Sequence, residues 1–131
     1  MSTEDDDIAQ LLDLSQQLLD SITNADWETY ARLCDPTLSA FEPESLGHLV
    51  EGMEFHRYYF DRGGVQGAHN TTLVAPHVRL LGETAVVCYT RLSQRLDAQG
   101  SPIVTQGQET RVWHRQDGVW RHVHFHRSNP A

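Results

Sequence analysis

The feature that most limits the fold of this chain is a change in the spacing of its apolar residues near residue 70. Before that point, apolar residues recur at helical spacing, which predicts a long amphipathic helix over 7–23 and shorter helices within 23–36 and 50–64. After it, apolar and polar residues alternate in four segments, as β-strands require: 70–82, 83–97, 103–116 and 119–128. Helices followed by a meander of strands predict an α+β fold with the helices on one face of the sheet. Long, twisted strands would curl around the first helix and enclose a conical pocket.

Prolines and glycines refine this assignment. Pro36 and the Gly63-Gly64 pair are expected to end the second and third helices, and Pro43 to close a short extended segment over 37–45. Pro76 lies inside the first long strand, so that strand is predicted to be an edge strand or to carry a bulge. Asp117-Gly118 predicts a tight hairpin between the last two strands.

Length and charge exclude several classes of protein. The chain has 131 residues and a formal net charge of −8, which disfavours non-specific nucleic-acid binding. No apolar run approaches the roughly 18 residues of a membrane span, and the acidic N-terminus does not resemble a secretory signal. Cys34 and Cys88 are therefore expected to be reduced thiols in the cytoplasm. We expect an acidic disordered N-terminus over 1–7, one domain over 8–128 and a short tail over 129–131.

Strand alternation places three arginines on one face of adjacent strands: Arg91 with Tyr89, Arg111 with Trp113, and Arg127 with Phe125. Arginine among apolar side chains is costly unless it is paired. Two alternatives remain open. Glu42, Glu44 or Glu109 could pair with these arginines internally, or a residual positive pocket could bind a carboxylate or another small anion.

The last strand carries three histidines at alternate positions, which raises the question of a metal site. By alternation, Trp120, His122, His124 and His126 share the face opposite Phe125 and Arg127. Neighbouring histidines on such a face lie about 6.6 Å apart, and neither cysteine is obviously placed as a further ligand. We therefore expect no metal here and interpret this face as a subunit interface.

Four segments together resemble one known family: "CDPTLSAFEPESLGHLVEGMEFHRYYF", "PHVRLLGE", "QETRVWHRQDGVW" and "VHFHRS". They are similar to the association (hub) domain of calcium/calmodulin-dependent protein kinase II, within the nuclear-transport-factor-2-like superfamily. The resemblance runs from about Ile8 to Ser128. It implies a conical α+β fold in which a strongly curved antiparallel sheet cradles the long N-terminal helix. It also implies a homo-oligomer of two stacked rings in which domains pair through their sheets.

The resemblance further implies a deep pocket for small carboxylates. Carried over by motif, its residues are Arg91 in "YTRLSQ", Arg111 in "ETRVWH", Arg127 in "HFHRS" and His56 in "EFHRYYF". It assigns no cofactor and no catalytic residue. The chain shows no kinase domain and no calmodulin-binding segment, and its "DRGGVQGAHN" loop is shorter than that of the family and lacks a tryptophan often found there.

The expected function is therefore a free-standing, self-assembling hub with an anion-accepting pocket, able in principle to join related hub domains in mixed assemblies. An alternative is a small-molecule enzyme of the isomerase or dehydratase kind, with His56 and Glu42, Glu44 or Glu109 in the same pocket. Carboxylates beside arginines keep a low pKa and are weak bases, which disfavours this alternative.

Overall fold

The computed structural model describes residues 3–128 and has three α-helices and six β-strands. The helices are α1 (Glu4–Thr23), α2 (Trp27–Leu33) and α3 (Glu54–Phe60). The strands are β1 (Cys34–Phe41), β2 (Val50–Glu51), β3 (Asn70–Leu81), β4 (Thr84–Leu96), β5 (Pro102–Gln116) and β6 (Val119–Arg127). The α+β class predicted from the change in period is confirmed.

A single six-stranded sheet has the order β2-β1-β6-β5-β4-β3. Strands β3 to β6 form the predicted antiparallel meander, whereas β1 pairs with β6 in parallel. As Pro76 suggested, β3 is an edge strand, and its pairing with β4 shifts register between Val74 and His77. Asp117 and Gly118 both have positive φ, the geometry that the tight β5–β6 hairpin requires.

Helix α1 begins earlier than the sequence indicated. Thr3 caps it: its hydroxyl accepts from the Asp6 amide at 3.1 Å, and Asp6 accepts from the Thr3 amide at 3.2 Å. The acidic residues that follow the cap stabilise the positive end of the helix dipole. Disorder over 1–7 is thus wrong for residues 3–7, while residues 1–2 and the predicted tail at 129–131 lie outside the described part.

The core lies between α1, α2 and the inner face of the sheet. Leu11, Leu18 and Leu19 of α1 are fully buried in one cluster with Val87 of β4 and Trp113 of β5. Each buried leucine contributes about 1.5–3 kcal/mol. Within residues 3–128, no helix is both long and apolar enough to cross a membrane.

A bulge in β6 overturns part of the predicted alternation. Val112 and Trp113 of β5 are consecutive, yet they pair with His124 and His122, so Val123 is an extra residue in β6. Because the bulge resets the alternation, residues before it lie on the opposite face from the predicted one.

The consequence is a correction for two of the four residues assigned to the outer face. Trp120 and His122 are buried in the interior of the domain. His124 and His126, after the bulge, remain on the outer face beside Phe41 of β1.

Candidate functional site

A cavity of about 230 Å³ opens between α2, α3 and strands β4, β5 and β6. All four residues that the family resemblance assigned to a pocket line it: His56, Arg91, Arg111 and Arg127. The three arginines reach it from adjacent strands because each lies on the inner face, as the alternation indicated. Tyr30, Tyr59, Phe60 and Phe125 supply aromatic walls, and Glu42 and Glu44 supply carboxylates.

Glu109, which is buried beside the cavity without lining it, joins two of the lining arginines. Its Oε1 accepts from Arg111 Nη2 at 3.0 Å and from the Tyr89 hydroxyl at 2.6 Å, and its Oε2 accepts from Arg91 Nη1 at 3.2 Å. Tyr89 in turn accepts from Arg111 Nε at 2.7 Å. Burial alone would raise the pKa of Glu109, but the Arg111 and Arg91 guanidiniums outweigh it and lower that pKa to about 2.

Arg127 stands at the rim of the cavity, where it forms an ion pair with Glu44. Its side chain is half-buried, as is that of Arg91, whereas Arg111 is 1% exposed. Internal pairing with Glu109 and Glu44, one of the two alternatives left open by the sequence, is therefore present for all three arginines.

Glu42 and His56 form a second pair in the wall, to which no arginine is joined within residues 3–128. Glu42 Oε1 lies 3.8 Å from His56 Nδ1, and both side chains are almost fully buried. Burial, together with the neighbouring Glu44 carboxylate, raises the pKa of Glu42 to about 7. Burial and the Arg111 cation lower the pKa of His56 to about 4. His56 Nε2 is buried and has no hydrogen-bond partner within residues 3–128.

His122 supports the base of the cavity from behind. Its Nε2 accepts a hydrogen bond from Arg111 Nη1 at 3.3 Å, and its Nδ1 lies 3.5 Å from Cys34 Sγ. Burial and the Arg111 cation lower the pKa of His122 well below its usual value, so the ring is neutral. Sequence reasoning missed this role because only the bulge at Val123 turns His122 inward.

The other two histidines of β6 lie on the far side of the sheet. His124 Nδ1 is 2.7 Å from the Ser39 hydroxyl, and His126 is exposed beside Phe41. The three histidines therefore do not converge. No group of three side chains suited to a metal ion occurs within residues 3–128.

The comparisons with known proteins point in one direction. The family model for the calcium/calmodulin dependent protein kinase II association domain matches residues 5–131. The delta subunit of calcium/calmodulin-dependent protein kinase type II from Oryctolagus cuniculus is 48% identical over 132 residues, which cover 95% of this chain and 25% of that protein. The chain thus spans about a quarter of the length of this relative.

Solved structures agree with the sequence match. The association domain of C. elegans CaMKII is 45% identical with a TM-score of 0.91, over 96% of this chain and 98% of that one. The CaMKII hub homology domain of Chlamydamonas reinhardtii is 46% identical with a TM-score of 0.86, over 92% and 96% of the two chains.

A more distant match extends the likeness to the wider fold. A nuclear transport factor 2-like superfamily protein from Salmonella enterica, 24% identical with a TM-score of 0.75 over 94% of this chain and 90% of that one, shares the fold alone. The matched family model and the closely similar hub domains show that the chain belongs to the calcium/calmodulin-dependent protein kinase II association domain family.

Proposed function

We propose that this chain is a self-assembling hub whose arginine-lined cavity binds a small carboxylate. The observation that supports assembly most directly is the 45% identity to the C. elegans association domain across nearly the whole domain. The observation that supports binding is the convergence of Arg91, Arg111 and Arg127 on one cavity.

The internal ion pairs leave donors for a ligand. Within residues 3–128, Arg91 donates from Nη1 alone and Arg127 from Nη2 alone. Since a guanidinium carries five N–H donors, each keeps free donors at the cavity. A carboxylate would accept from both, with Phe60 and Phe125 against its apolar part.

The proposed subunit contact is the outer face of β1 and β6, where Phe41, His124 and His126 lie side by side. The occupant is a second copy of the chain, and stacked rings are the proposed arrangement. Native mass spectrometry at micromolar concentration is expected to find one large closed assembly. A monomer or a simple dimer would overturn the hub proposal.

A pair of variants tests the face itself. His126→Glu places a charge in the proposed contact and is expected to break the assembly into smaller species. His77→Glu makes the same change on β3, the opposite edge strand, and is expected to leave the assembly intact. Equal behaviour of the two variants would contradict the assignment of this face.

Mixing the chain with a related hub domain before native mass spectrometry tests mixed assembly, for which species of intermediate mass are expected.

Binding is tested with butyrate, a small monocarboxylate, by calorimetry at pH 6. The wild type is expected to bind it, and Arg127→Gln to bind it at least tenfold more weakly, since that substitution removes a charge-assisted contact of about 1.5–3 kcal/mol. Absence of binding to the wild type would mean that Glu44 and Glu109 saturate the arginines.

A second candidate function, a small-molecule lyase or isomerase, is favoured by one observation. The pKa of Glu42, raised to about 7 by burial and by Glu44, suits a general acid or base at neutral pH. The test is dehydration of 3-hydroxybutyrate to crotonate, followed by ultraviolet absorbance. Turnover that disappears in Glu42→Gln and in His56→Ala, with the fold retained, would support the enzyme; no turnover favours the hub alone.

A further inference from the structure

Glu42 differs from the other carboxylates of the cavity in its partners. Glu109 holds Arg91 and Arg111, and Glu44 holds Arg127. Within residues 3–128, no arginine forms an ion pair with Glu42, and the histidine in contact with it, His56 at 3.8 Å, is neutral at neutral pH. Each arginine of the cavity therefore already pairs with Glu109 or Glu44. Glu42 is the buried carboxyl group that has no arginine partner to stabilise its ionised form.

Charged and titratable groups face Glu42 from every element around it. They are Tyr30 of α2, Glu44 of the turn after β1, His56 and Tyr59 of α3, Arg91 of β4, Glu109 and Arg111 of β5, and Arg127 of β6. Three of these groups are cations and two are ionised carboxylates. With Glu42 protonated, the cavity therefore carries one net positive charge. With Glu42 ionised, it carries none.

This balance decides which anion the cavity can hold. A bound monocarboxylate neutralises the cavity when Glu42 is protonated. The same ligand beside an ionised Glu42 would leave an uncompensated negative charge in a poorly hydrated site, which is costly. A second carboxylate on the ligand would add the same cost even with Glu42 protonated, unless it reached solvent.

We propose that the cavity binds a monocarboxylate only together with the protonated form of Glu42, so that binding above neutral pH takes up one proton and monoanions are selected over dianions. This inference rests on the proposed function, since it assumes that the cavity binds a carboxylate. It adds the charge class of the ligand and a pH response that the arginines alone would not give.

The midpoint of the response follows from the surroundings of Glu42. Because burial and Glu44 raise its pKa to about 7, the competent fraction falls tenfold for each pH unit above that value. Below it, most molecules already carry the proton, and affinity levels off.

The experiment is calorimetry with butyrate and with succinate, which has the same chain length and a second carboxylate, from pH 6 to 8.5. Two cationic amine buffers of different ionisation enthalpy report proton uptake. For the wild type we expect butyrate affinity to fall about tenfold from pH 7.5 to 8.5, with close to one proton taken up at pH 8. We expect succinate to bind at least tenfold more weakly than butyrate.

Two variants separate the effect of Glu42 from that of a carboxyl outside the cavity. Glu42→Gln is expected to bind butyrate at pH 8 as tightly as the wild type does at pH 6, without proton uptake. Glu51→Gln, the same change at an exposed carboxyl of β2 that does not line the cavity, is the matched control and is expected to keep the proton uptake. Should Glu42→Gln fail to fold, proton uptake by the wild type still decides the question.

The experiment separates failure of this inference from failure of the proposed carboxylate binding. No butyrate binding to the wild type at any pH would overturn both proposals. Butyrate binding with an affinity independent of pH and no proton uptake would overturn this inference and leave the carboxylate pocket standing. Succinate binding as tightly as butyrate would overturn the selection of monoanions.

Discussion

Arg111 donates a hydrogen bond to Nε2 of His122 at 3.3 Å, and both side chains are fully enclosed by the domain. The pair links the cavity to the core, because Arg111 also holds Glu109 and Tyr89 on its other edges. Its guanidinium lies over the Phe125 ring at 4.7 Å. Arg111 is therefore a structural centre as well as a lining residue, which separates it from Arg127 at the rim.

That difference predicts unequal stability losses for two identical substitutions. Arg111→Gln leaves the buried Glu109 with Arg91 as its one cation and is expected to lower the free energy of unfolding by about 3–5 kcal/mol. Arg127→Gln removes a half-exposed ion pair and is expected to cost about 1 kcal/mol or less. Urea unfolding at a fixed protein concentration measures both. Equal losses would contradict the structural role of Arg111.

How far the sequence predicted this site depends on where the strands are regular. Arg91 and Arg111 lie on the inner face as expected, because β4 and β5 keep a strict period of two around them. In β6 a histidine at every second position concealed the bulge at Val123, so Trp120 and His122 were assigned to the wrong face. A bulge adds one residue to a strand, and no particular residue type marked this one in the sequence, so alternation alone could not detect it.

The sequence could not predict which glutamate pairs with which arginine, or that Glu42 would have a raised pKa, for another reason. Glu42, Glu44 and Glu109 were equivalent candidates, since each is a glutamate near a predicted strand or turn. Only their three-dimensional distances to Arg91, Arg111 and Arg127 separate the paired carboxylates from the unpaired one. The sharply different pKa directions of Glu109 and Glu42 follow from that separation.

Gly64 is expected to matter for packing rather than for ending α3. A Cβ atom there would lie 2.5 Å from the Thr23 carbonyl oxygen and 2.8 Å from the Asn24 carbonyl carbon. Gly64→Ala would therefore push the loop after α3 away from the end of α1 and strain the Val65 N–H to Thr23 hydrogen bond of 2.8 Å.

Overpacking of this kind costs about 1–3 kcal/mol, which thermal unfolding at fixed protein concentration would detect. Gln66→Ala, an exposed change in the same loop, is the matched control and is expected to stay within about 0.5 kcal/mol of the wild type. A Gly64→Ala protein as stable as the wild type would show that the loop relaxes freely.

The burial of a neutral His122 predicts that the free energy of unfolding falls in acid. Burial and Arg111 lower its folded-state pKa well below the unfolded value of 6.5, so the unfolded chain binds more protons below that pH. Stability from this residue is thus present above pH 6.5 and declines as the pH falls, by about 1.4 kcal/mol per unit. His122→Gln keeps an acceptor for Arg111 but cannot titrate.

The measurement is the free energy of unfolding from pH 7.5 to 5 for the wild type and two variants. His122→Gln is expected to reduce the pH slope by close to one proton, while His56, whose pKa is lowered to about 4, keeps its own contribution. His77→Gln, at an exposed histidine of β3, is expected to keep the full slope. An unchanged slope in His122→Gln would mean that His122 binds its proton with the same pKa in the folded and unfolded states, which would contradict this prediction.

The raised pKa of Glu42 predicts that its contribution to the free energy of unfolding has the opposite pH dependence. Its folded-state pKa, raised to about 7 by burial and Glu44, exceeds the unfolded value of 4.5, so the folded chain holds a proton that the unfolded chain has released. Its contribution to stability therefore falls as the pH rises from about 4.5 to 7 and stays low above that. Glu42→Gln, which remains neutral, is expected to match the wild type near pH 5 and to exceed it by about 2 kcal/mol at pH 8. Glu51→Gln, at an exposed carboxyl of β2 outside the cavity, is expected to show no such gain. Urea unfolding at both pH values measures the sign and size of the difference.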